Sequence, residues 1–319
     1  MEENLKQQPS DCVKIVLFGP ESTGKTTLSI HLARYYNSVW VPEYAREYLQ
    51  NKWNEERKTC ESDDLLPIAL GQMNLENKTI LITGGTGSLG KALTSHIFKH
   101  HSNIKKLIIL SRDEQKQFQM AQDYPEKRFP KIRFFIGDVR DEQRLIRAFQ
   151  GVDIVIHAAA MKQIPASEYN PMEAIKTNVL GAENIVRVAI ENEISSVIAL
   201  STDKASNPAN LYGATKLCSD KLIIAGNNLT RNKFPIFSVV RYGNILGSRG
   251  SVIPLFLQQA KTGTITITNE KMTRFWLSLE DGVNFVLNSI KTMQGGEIFI
   301  PKIPSFRVID AAKVVAPEA

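Results

Sequence analysis

The apolar residues of this chain fall into short continuous runs, and longer stretches with helical periodicity separate these runs. Segments such as Asp141–Phe149 and Glu183–Asn192 repeat apolar residues with the spacing of an amphipathic helix. The continuous runs have the length of buried strands. They are Thr79–Thr83, Leu107–Leu110, Ile132–Ile136, Ile154–Ile156, Val197–Leu200 and Phe237–Arg241. Continuous apolar strands that alternate with helices predict an α/β fold with a parallel sheet covered on both faces.

The same alternation is present in the first seventy residues. Val13–Phe18 and Val39–Val41 have the pattern of strands, and a helical pattern ends near Tyr36. The composition changes near residues 71–77, which predicts a boundary there. We therefore expect two parts: residues 1–73 and residues 74–319.

Composition narrows the class of protein. The chain has 319 residues, of which 43% are hydrophobic, so it has ample material for a core. No apolar run approaches the ~18–20 residues that span a bilayer, and the polar N-terminus lacks a signal-peptide pattern. Cys12, Cys60 and Cys218 are widely spaced, which favours neither a zinc site nor a disulfide framework and is typical of a reducing cytoplasm.

Charge is distributed unevenly along the chain. Residues 1–73 carry a net charge of −3, whereas the remainder carries +9. The net positive charge of the residues after 73 suits binding of an anionic small molecule or a nucleic acid. Because the basic residues are scattered, with no long run, the sequence favours a nucleotide-type ligand and disfavours nucleic acid.

A first glycine loop follows the first predicted strand. Residues 19–26 read GPESTGKT and match the GxxxxGK[ST] pattern between a strand and a helix. The predicted phosphate-binding residues are Gly19, Ser22, Thr23, Gly24, Lys25 and Thr26. Lys25 would reach the terminal phosphates of ATP, and Thr26 would bind Mg²⁺.

The segments FGPESTGKTTL and WVPEYAREYL resemble the start of nicotinamide riboside kinase-like P-loop ATPases. The resemblance covers residues 13–72 at most. The next strong strand carries no carboxylate for Mg²⁺ and opens into a different glycine loop. We therefore expect a partial P-loop segment with little or no kinase activity.

The second glycine loop, TGGTGSLG, follows the strand Thr79–Thr83 and has glycines at 84, 87 and 90. Between a strand and a helix, this spacing permits a tight turn and close approach to a dinucleotide pyrophosphate. Asp138 follows the third strand of this fold, where a carboxylate can meet an adenine amino group. Ala158 and Ala159 follow the fourth strand, where small side chains let a cofactor lie against the backbone.

The second strand of this fold ends in Ser111-Arg112-Asp113. An arginine at this position suits a 2′-phosphate, so the sequence favours NADP over NAD. Alternatively, Asp113 binds the ribose and Arg112 is merely solvated. The predicted cofactor residues are Gly84, Thr86, Gly87, Ser88, Leu89, Gly90, Ser111, Arg112, Asp113, Lys116, Asp138, Val139, Ala158, Ala159, Tyr212 and Lys216.

Tyr212 and Lys216 form a YxxxK pair. Residues four apart on a helix share one face, so the lysine is expected to lower the tyrosine pKa. The phenolate would then take a proton from a substrate hydroxyl. Thr202, at the end of the preceding strand, can hydrogen-bond the same hydroxyl.

A set of motifs carries a family resemblance. They are TGGTGSLG, SRDEQKQ, FFIGDVRD, HAAAMKQ, EYNPMEAIKTN, STDKASNPANLYGATK, RYGNILGSRGSV and MTRFW. Together they resemble the inverting UDP-N-acetylglucosamine 4,6-dehydratases, which are extended short-chain dehydrogenase/reductases with a Rossmann-type doubly wound parallel sheet. The resemblance spans residues 74–317. It implies bound NADP, UDP-N-acetylglucosamine as substrate, a 4-keto-6-deoxy product on the route to pseudaminic acid, and a homo-oligomer.

The resemblance also implies roles for the cluster around Tyr212. Tyr212, assisted by Lys216 and Thr202, would deprotonate the C4 hydroxyl while the cofactor takes the C4 hydride. Lys204 would remove the C5 proton, and Asp203 would protonate the departing C6 hydroxyl. The alternative for Asp203 and Lys204 is a simple salt bridge.

The expected substrate contacts lie beyond the cofactor, at the carboxyl edge of the sheet. They are Lys162, Asn244, Arg249, Val252 and Arg274, and each has a surface or core role as its alternative. The family continues beyond the counterpart of Ala319 with an Arg-Pro-Gly-Glu segment. We therefore expect a dehydratase truncated in its C-terminal substrate subdomain, fused to the partial P-loop segment. The alternative functions are an ATP-binding kinase-like module and an inactive fusion that only binds nucleotides.

Overall fold

The computed structural model describes residues 75, 77–101, 103–230, 234–247 and 251–315. The strands in this part are β1 (Thr79–Thr83), β2 (Lys106–Ser111), β3 (Ile132–Ile136), β4 (Ile154–His157), β5 (Ser196–Thr202), β6 (Ile236–Tyr242), β7 (Asn244–Ile245), β8 (Thr273–Leu277), β9 (Ile298–Phe299) and β10 (Ser305–Arg307). The helices are α1 (Ser88–His100), α2 (Glu114–Asp123), α3 (Glu142–Ala148), α4 (Ile164–Tyr169), α5 (Pro171–Ile175), α6 (Gly181–Glu191), α7 (Leu211–Ala225), α8 (Val252–Ala260), α9 (Leu279–Thr292) and α10 (Val308–Val315). The predicted strands at 13–18 and 39–41, and the first glycine loop, lie outside the described residues.

A seven-stranded sheet forms the centre of the fold. Its strand order is β3-β2-β1-β4-β5-β6-β9, and every neighbouring pair is parallel. The order reverses between β1 and β4, so the connections leave in opposite directions there. In open parallel sheets this reversal creates a crevice at the carboxyl ends of the strands.

The sheet is buried on both faces, which is why its strands consist of continuous apolar runs. Along β1, Ile80 and Ile82 pack into one apolar cluster with Leu93 of α1. Leu81, whose side chain points the other way, packs into a second cluster with Leu145 of α3. The predicted doubly wound α/β arrangement is confirmed.

Two helix starts differ from the sequence prediction. Asp141, predicted as helical, is instead the N-cap of α3, and its carboxylate accepts a hydrogen bond from the Arg144 amide. Short polar side chains compete for backbone donors in this way at helix ends. The helix predicted from Glu183 begins at Gly181 and follows a π-helical turn, Lys176–Leu180.

A small second sheet has the order β10-β8-β7, and β9 of the main sheet lies between β8 and β10 along the chain. Helices α8 and α10 pack together through a core of Phe256, Val308 and Ala312. None of the helices described is long and apolar enough to cross a membrane.

Candidate active site

A cavity of about 650 Å³ lies at the carboxyl edge of the main sheet. Residues at or just after the ends of five neighbouring strands line it: Gly84, Ser111, Gly137, Ala158 and Thr202. The cavity spans the reversal of strand order between β1 and β4, which is where such folds bind ligands. Every residue predicted to bind the cofactor lines this cavity.

The glycine loop after β1 turns tightly against the loop after β4. Gly84 has φ +66°, and a Cβ there would lie 2.8 Å from the Ala159 backbone. A Cβ on Gly90 would lie 2.4 Å from the carbonyl oxygen of Gly85. These two glycines therefore bring the N-terminus of α1, capped by Gly87, to the cavity wall.

The end of β2 presents hydroxyl and charged groups to the same cavity. The hydroxyls of Thr86 and Ser111 are hydrogen-bonded at 2.9 Å, which ties the glycine loop to β2. The Asp113 carboxylate caps α2 by accepting a hydrogen bond from the Lys116 amide, and it also pairs with the Lys116 ammonium. Arg112 is 62% exposed, and its nearest guanidinium nitrogen lies 3.6 Å from Asp138.

Asp138 is held in its charged form at the cavity wall. Burial favours a higher pKa, but hydrogen bonds from Arg140 and the charges of Arg140 and Arg112 hold the pKa of Asp138 below its usual value. The Arg140 Nη2 lies 2.7 Å from a carboxylate oxygen of Asp138. The Asp138 carboxylate is thus oriented by two arginines.

The end of β5 carries the Thr202-Asp203-Lys204 cluster. The Thr202 hydroxyl donates to Asp203 Oδ1 at 2.9 Å, and Lys204 Nζ donates to the same oxygen at 3.0 Å. Lys204 Nζ also donates to Asn244 Oδ1 at 3.2 Å. The salt bridge considered from sequence is therefore present, and Lys204 and Thr202 line the cavity whereas Asp203 does not.

Gly213 explains how Tyr212 comes close to this cluster. A Cβ at Gly213 would lie 2.3 Å from the Lys204 carbonyl oxygen, so only glycine lets α7 pack so closely on residues 203–205. Asn210 caps α7, and its side-chain oxygen accepts a hydrogen bond from the Gly213 amide. Tyr212 and Lys216, four residues apart on α7, both line the cavity.

The expected net lowering of the Tyr212 pKa is wrong for this structure. Burial raises the pKa of Tyr212 to about 12, and the nearby Asp203 and Asp220 add to the increase, whereas a hydrogen bond with Thr202 opposes it. Burial also lowers the pKa of Lys216, which is 2% exposed. Burial therefore dominates the pKa of Tyr212, and the charges that act on it are the carboxylates Asp203 and Asp220 and not the Lys216 ammonium.

Several residues support the site although no sequence motif predicted a role for them. Asn178 makes three hydrogen bonds, two with the Met161 backbone and one with the Thr215 hydroxyl, and so joins the loop after β4 to α7. His157 is hydrogen-bonded to the Thr83 hydroxyl at 2.8 Å. Burial, and next the charge of Lys216, lower the pKa of His157 to about 3, so it is neutral. The only sequence signal for Asn178 was its place in the EYNPMEAIKTN motif.

The predicted substrate residues divide into three groups. Lys162 and Asn244 line the cavity, and burial lowers the pKa of Lys162. Val252 instead packs against the α8–α10 core, and Arg274 donates to the Thr273 carbonyl, so both lie outside the cavity lining. Arg249 lies outside the described residues, as do the phosphate-loop residues Gly19, Ser22, Thr23, Gly24, Lys25 and Thr26. In the part of the chain that is described, no group of three or more His, Cys, Asp or Glu side chains is placed to hold a metal ion.

Comparison with known proteins gives two family matches. The family described as polysaccharide biosynthesis protein matches residues 80–318. The family described as AAA domain matches residues 14–102, which include the first glycine loop.

Individual relatives agree with the larger match. The chain is 57% identical over 242 residues to a Campylobacter jejuni protein named UDP-N-acetylglucosamine 4,6-dehydratase (inverting), covering 75% of this chain and 71% of that one. It is 47% identical over 242 residues to a Rickettsia bellii protein named UDP-glucose 4-epimerase, covering 75% and 70%. The X-ray structure of Pen from Bacillus thuringiensis is 38% identical with a TM-score of 0.72, covering 77% of each chain. This chain therefore belongs to the polysaccharide biosynthesis protein family, with inverting UDP-N-acetylglucosamine 4,6-dehydratases among its near relatives.

Proposed function

We propose that this chain is an NADP-dependent dehydratase that converts UDP-N-acetylglucosamine into a 4-keto-6-deoxy sugar nucleotide with inversion at C5. The observation that carries the proposal is the packing of α7 on residues 203–205, which brings Tyr212 and Lys216 to the same cavity as Lys204. The 57% identity to the Campylobacter jejuni relative supports the substrate and the reaction. A place on a route to pseudaminic acid, assembly into a homo-oligomer and a cytoplasmic location stay predictions.

The cavity fits a nicotinamide dinucleotide. The close approach of Gly84 to the Ala159 backbone and the α1 N-terminus together form a cradle for a pyrophosphate. Ser111, Arg112 and Lys116 would hold the ribose end, and Arg112 is the proposed partner of a 2′-phosphate. When bound, the cofactor supplies hydride acceptance from C4 and hydride return to C6.

Tyr212 is the proposed base for the C4 hydroxyl. Since burial raises its pKa to about 12, its phenolate needs stabilisation as the proton leaves. The Lys216 ammonium and the Thr202 hydroxyl, whose one proton would turn from Asp203 towards Tyr212, are the groups available to supply it. The resulting ketone at C4 acidifies the proton at C5.

Lys204 and Asp203 are the proposed base and acid of the elimination. In their ion pair each has the wrong protonation state: the base carries a proton and the acid lacks one. One proton moved from Lys204 Nζ to Asp203 Oδ1, across the 3.0 Å hydrogen bond, corrects both. Exclusion of water by a bound substrate would favour this neutral pair. Lys204 then takes the C5 proton. Asp203 does not line the cavity, so its proton would reach the leaving C6 hydroxyl through the Thr202 hydroxyl, which is hydrogen-bonded to Asp203 and lines the cavity. After the hydride returns to C6, C5 takes a proton on its opposite face, which gives the inversion.

Incubation with NADP and UDP-N-acetylglucosamine in D₂O tests the proposal. NMR spectra should show a 4-keto-6-deoxy product with inverted configuration and deuterium at C5. A product changed only at C4 would overturn the dehydratase proposal and support an epimerase, the activity named for the Rickettsia bellii relative. An epimerase needs oxidation at C4 but has no use for a C5 base and a C6 acid.

We further propose that residues 1–73 form a separate phosphate-binding module and that residues 74–319 form the dehydratase part. The match of residues 14–102 to the AAA domain family supports a role for the first glycine loop. In this proposal Gly19, Ser22, Thr23, Gly24 and Lys25 hold the phosphates of ATP, and Thr26 binds Mg²⁺. Arg249, Val252 and Arg274 remain proposed substrate residues.

A further inference from the structure

Asp220 lies on α7 one turn beyond Lys216 and is fully buried. Its Oδ2 accepts a hydrogen bond from the Ser201 hydroxyl of β5 at 2.9 Å. The same oxygen accepts a hydrogen bond from Arg241 Nε of β6 at 2.8 Å. A carboxylate is thus held under the cavity floor, where α7 meets the ends of β5 and β6.

The two hydrogen bonds alone do not explain why residue 220 is an aspartate. Its second oxygen, Oδ1, is buried and has no hydrogen-bond partner among the described residues. An uncharged asparagine could accept the same two hydrogen bonds through its amide oxygen. A buried charge is costly unless cations match it, and Asp220 is salt-bridged to Arg241 and lies one helical turn from the buried Lys216.

Asp220 interacts with Arg241, Lys216 and Tyr212, and Lys216 and Tyr212 interact in turn with His157, Tyr242 and Asp203. Lys216 and Tyr212 lie on its own helix, and Arg241 and Tyr242 come from β6. His157, at the end of β4, is neutral, and Asp203 follows β5. Lys221 is adjacent to Asp220 on α7 but is exposed, so Lys216, one turn away and almost fully buried, is the buried cation on this helix.

Lys216 depends on a nearby anion to stay protonated. Burial alone lowers its pKa, and the charge of Asp220 is the influence that raises it. A buried ammonium without such a partner loses its proton readily. Loss of that proton would remove a buried positive charge that lies one helical turn from Tyr212 at the cavity wall.

We propose that Asp220 is a positioning residue that keeps Lys216 in its charged form beside Tyr212. The consequence for turnover rests on the proposed function, whereas the effect on Lys216 does not. Asp220 itself does not line the cavity, so it acts through Lys216 and not on the substrate.

The substitution Asp220→Asn tests the effect on Lys216 in the free protein. Lysine is labelled with ¹³C, and the Lys216 Cε signal is assigned by its loss in Lys216→Arg. The midpoint of its titration should fall by about 1 pH unit or more in Asp220→Asn. The control is Asp153→Asn, which removes the charge of a carboxylate outside the cavity lining. Asp153 accepts a hydrogen bond from the Thr79 amide of β1. A Lys216 midpoint equal to that of the unmodified chain would overturn the proposal.

The pH profile of dehydration gives a second readout. Asp220 raises the pKa of both Lys216 and Tyr212, so its loss should lower both. Both limbs of the kcat/KM profile should therefore move to lower pH in Asp220→Asn. A lower rate with unmoved limbs would indicate a purely structural role and overturn the proposal. If the unmodified chain has no dehydratase activity, the proposed function fails, and the Lys216 titration still decides the role of Asp220.

Asp220→Asn could fold poorly because it leaves the largely buried Arg241 without a counter-charge. A second variant keeps the proposal testable in that case. The double substitution Asp220→Asn with Arg241→Met removes the ion pair as a unit, a change that buried pairs often tolerate. The Lys216 midpoint should again fall, because Asp220 is the charge that raises its pKa. An unchanged midpoint in the double variant would count equally against the proposal.

Discussion

Tyr212 and Lys204 have different proposed tasks although Gly213, the neighbour of Tyr212, packs closely against the Lys204 carbonyl. Tyr212 is buried with a raised pKa and acts with Thr202 and Lys216, whereas Lys204 is paired with Asp203 and Asn244. In the proposed mechanism the two groups therefore serve separate proton transfers, one at C4 and one at C5. Separate tasks mean that single substitutions should stop the reaction at different points.

Tyr212→Phe should abolish every step, including transient NADPH formation. Lys204→Ala should block water loss but leave C4 oxidation, because Thr202, Tyr212 and Lys216 stay intact. General acid or base groups contribute ~10²–10⁴-fold, so loss of overall turnover should be of that order. Single-turnover NADPH absorbance measures oxidation, and NMR measures the product. Near-normal turnover of Lys204→Ala would show that the proposed C5 base is wrong.

Arg112 should set the cofactor preference. It is exposed at the cavity edge and only loosely paired with Asp138, so it is available to a 2′-phosphate. We expect NADP to bind more tightly than NAD, and Arg112→Ala should reduce this preference by about tenfold, the loss of one charge-assisted contact. Calorimetric Kd values for both cofactors measure the ratio. Arg133→Ala, at an arginine outside the cavity lining, is the control, and equal affinities in the unmodified chain would contradict the prediction.

At the scale of elements, α1 packs against α9, and His96 and His101 at the C-terminal end of α1 are partly buried. Burial, and next His100 and Lys291, lower the pKa of His96 to about 4. Burial, and next Lys291, lower the pKa of His101 to about 3. Both side chains are therefore neutral in the folded protein at pH 7, although one turn of helix and its C-cap carry three histidines.

These histidines should make the free energy of unfolding depend on pH. In the unfolded chain their pKa is about 6.5, so below that pH the unfolded chain binds more protons than the folded one. The free energy of unfolding should therefore fall as the pH drops from about 6.5 towards the folded values. His101→Asn should lessen the fall, as measured by urea unfolding at neutral and acidic pH. An equally steep fall in His101→Asn would be evidence against this explanation.

The close approaches between elements depend on glycine at a few positions. Gly90→Ala would place a Cβ 2.4 Å from the Gly85 carbonyl and force the loop or α1 to move. Such overpacking typically costs ~1–3 kcal/mol. We expect cofactor affinity to fall by about tenfold or more, read from the Kd of NADP. Gly151→Ala is the control, because nothing lies within 4 Å of a Cβ there although its φ of +67° is strained. A wild-type Kd in Gly90→Ala would show that the loop adapts.

At the scale of the whole molecule, the chain carries two glycine loops with separate predicted ligands. The two family matches overlap at residues 80–102, which contain the second glycine loop, whereas the first glycine loop lies in the AAA domain match alone. If the two parts act independently, Lys25→Ala should abolish ATP binding and leave the Kd of NADP unchanged. Calorimetry with each nucleotide measures both. A large rise in the Kd of NADP, with folding intact, would mean that the two parts are coupled.

The sequence by itself determined the alternation of strands and helices, the glycine loop and the identity of the Tyr212–Lys216 pair. These follow from short-range rules: the period of apolar residues, the φ and Cβ demands of a tight turn, and helical spacing. For the same reason, every residue predicted to bind the cofactor lines the cavity.

Only the tertiary structure decided the pKa values of the buried site residues and their hydrogen-bond and salt-bridge partners from distant parts of the chain. The Asp220–Arg241 pair, the contact of Lys204 with Asn244 and the raised pKa of Tyr212 depend on which strand ends and helices pack together. Burial is a property of the whole fold, and it reversed the sign of the pKa shift that the YxxxK spacing predicted. Long-range packing also took Val252 into the α8–α10 core and left Arg274 outside the cavity, because residue spacing cannot report which side chains a second sheet will cover.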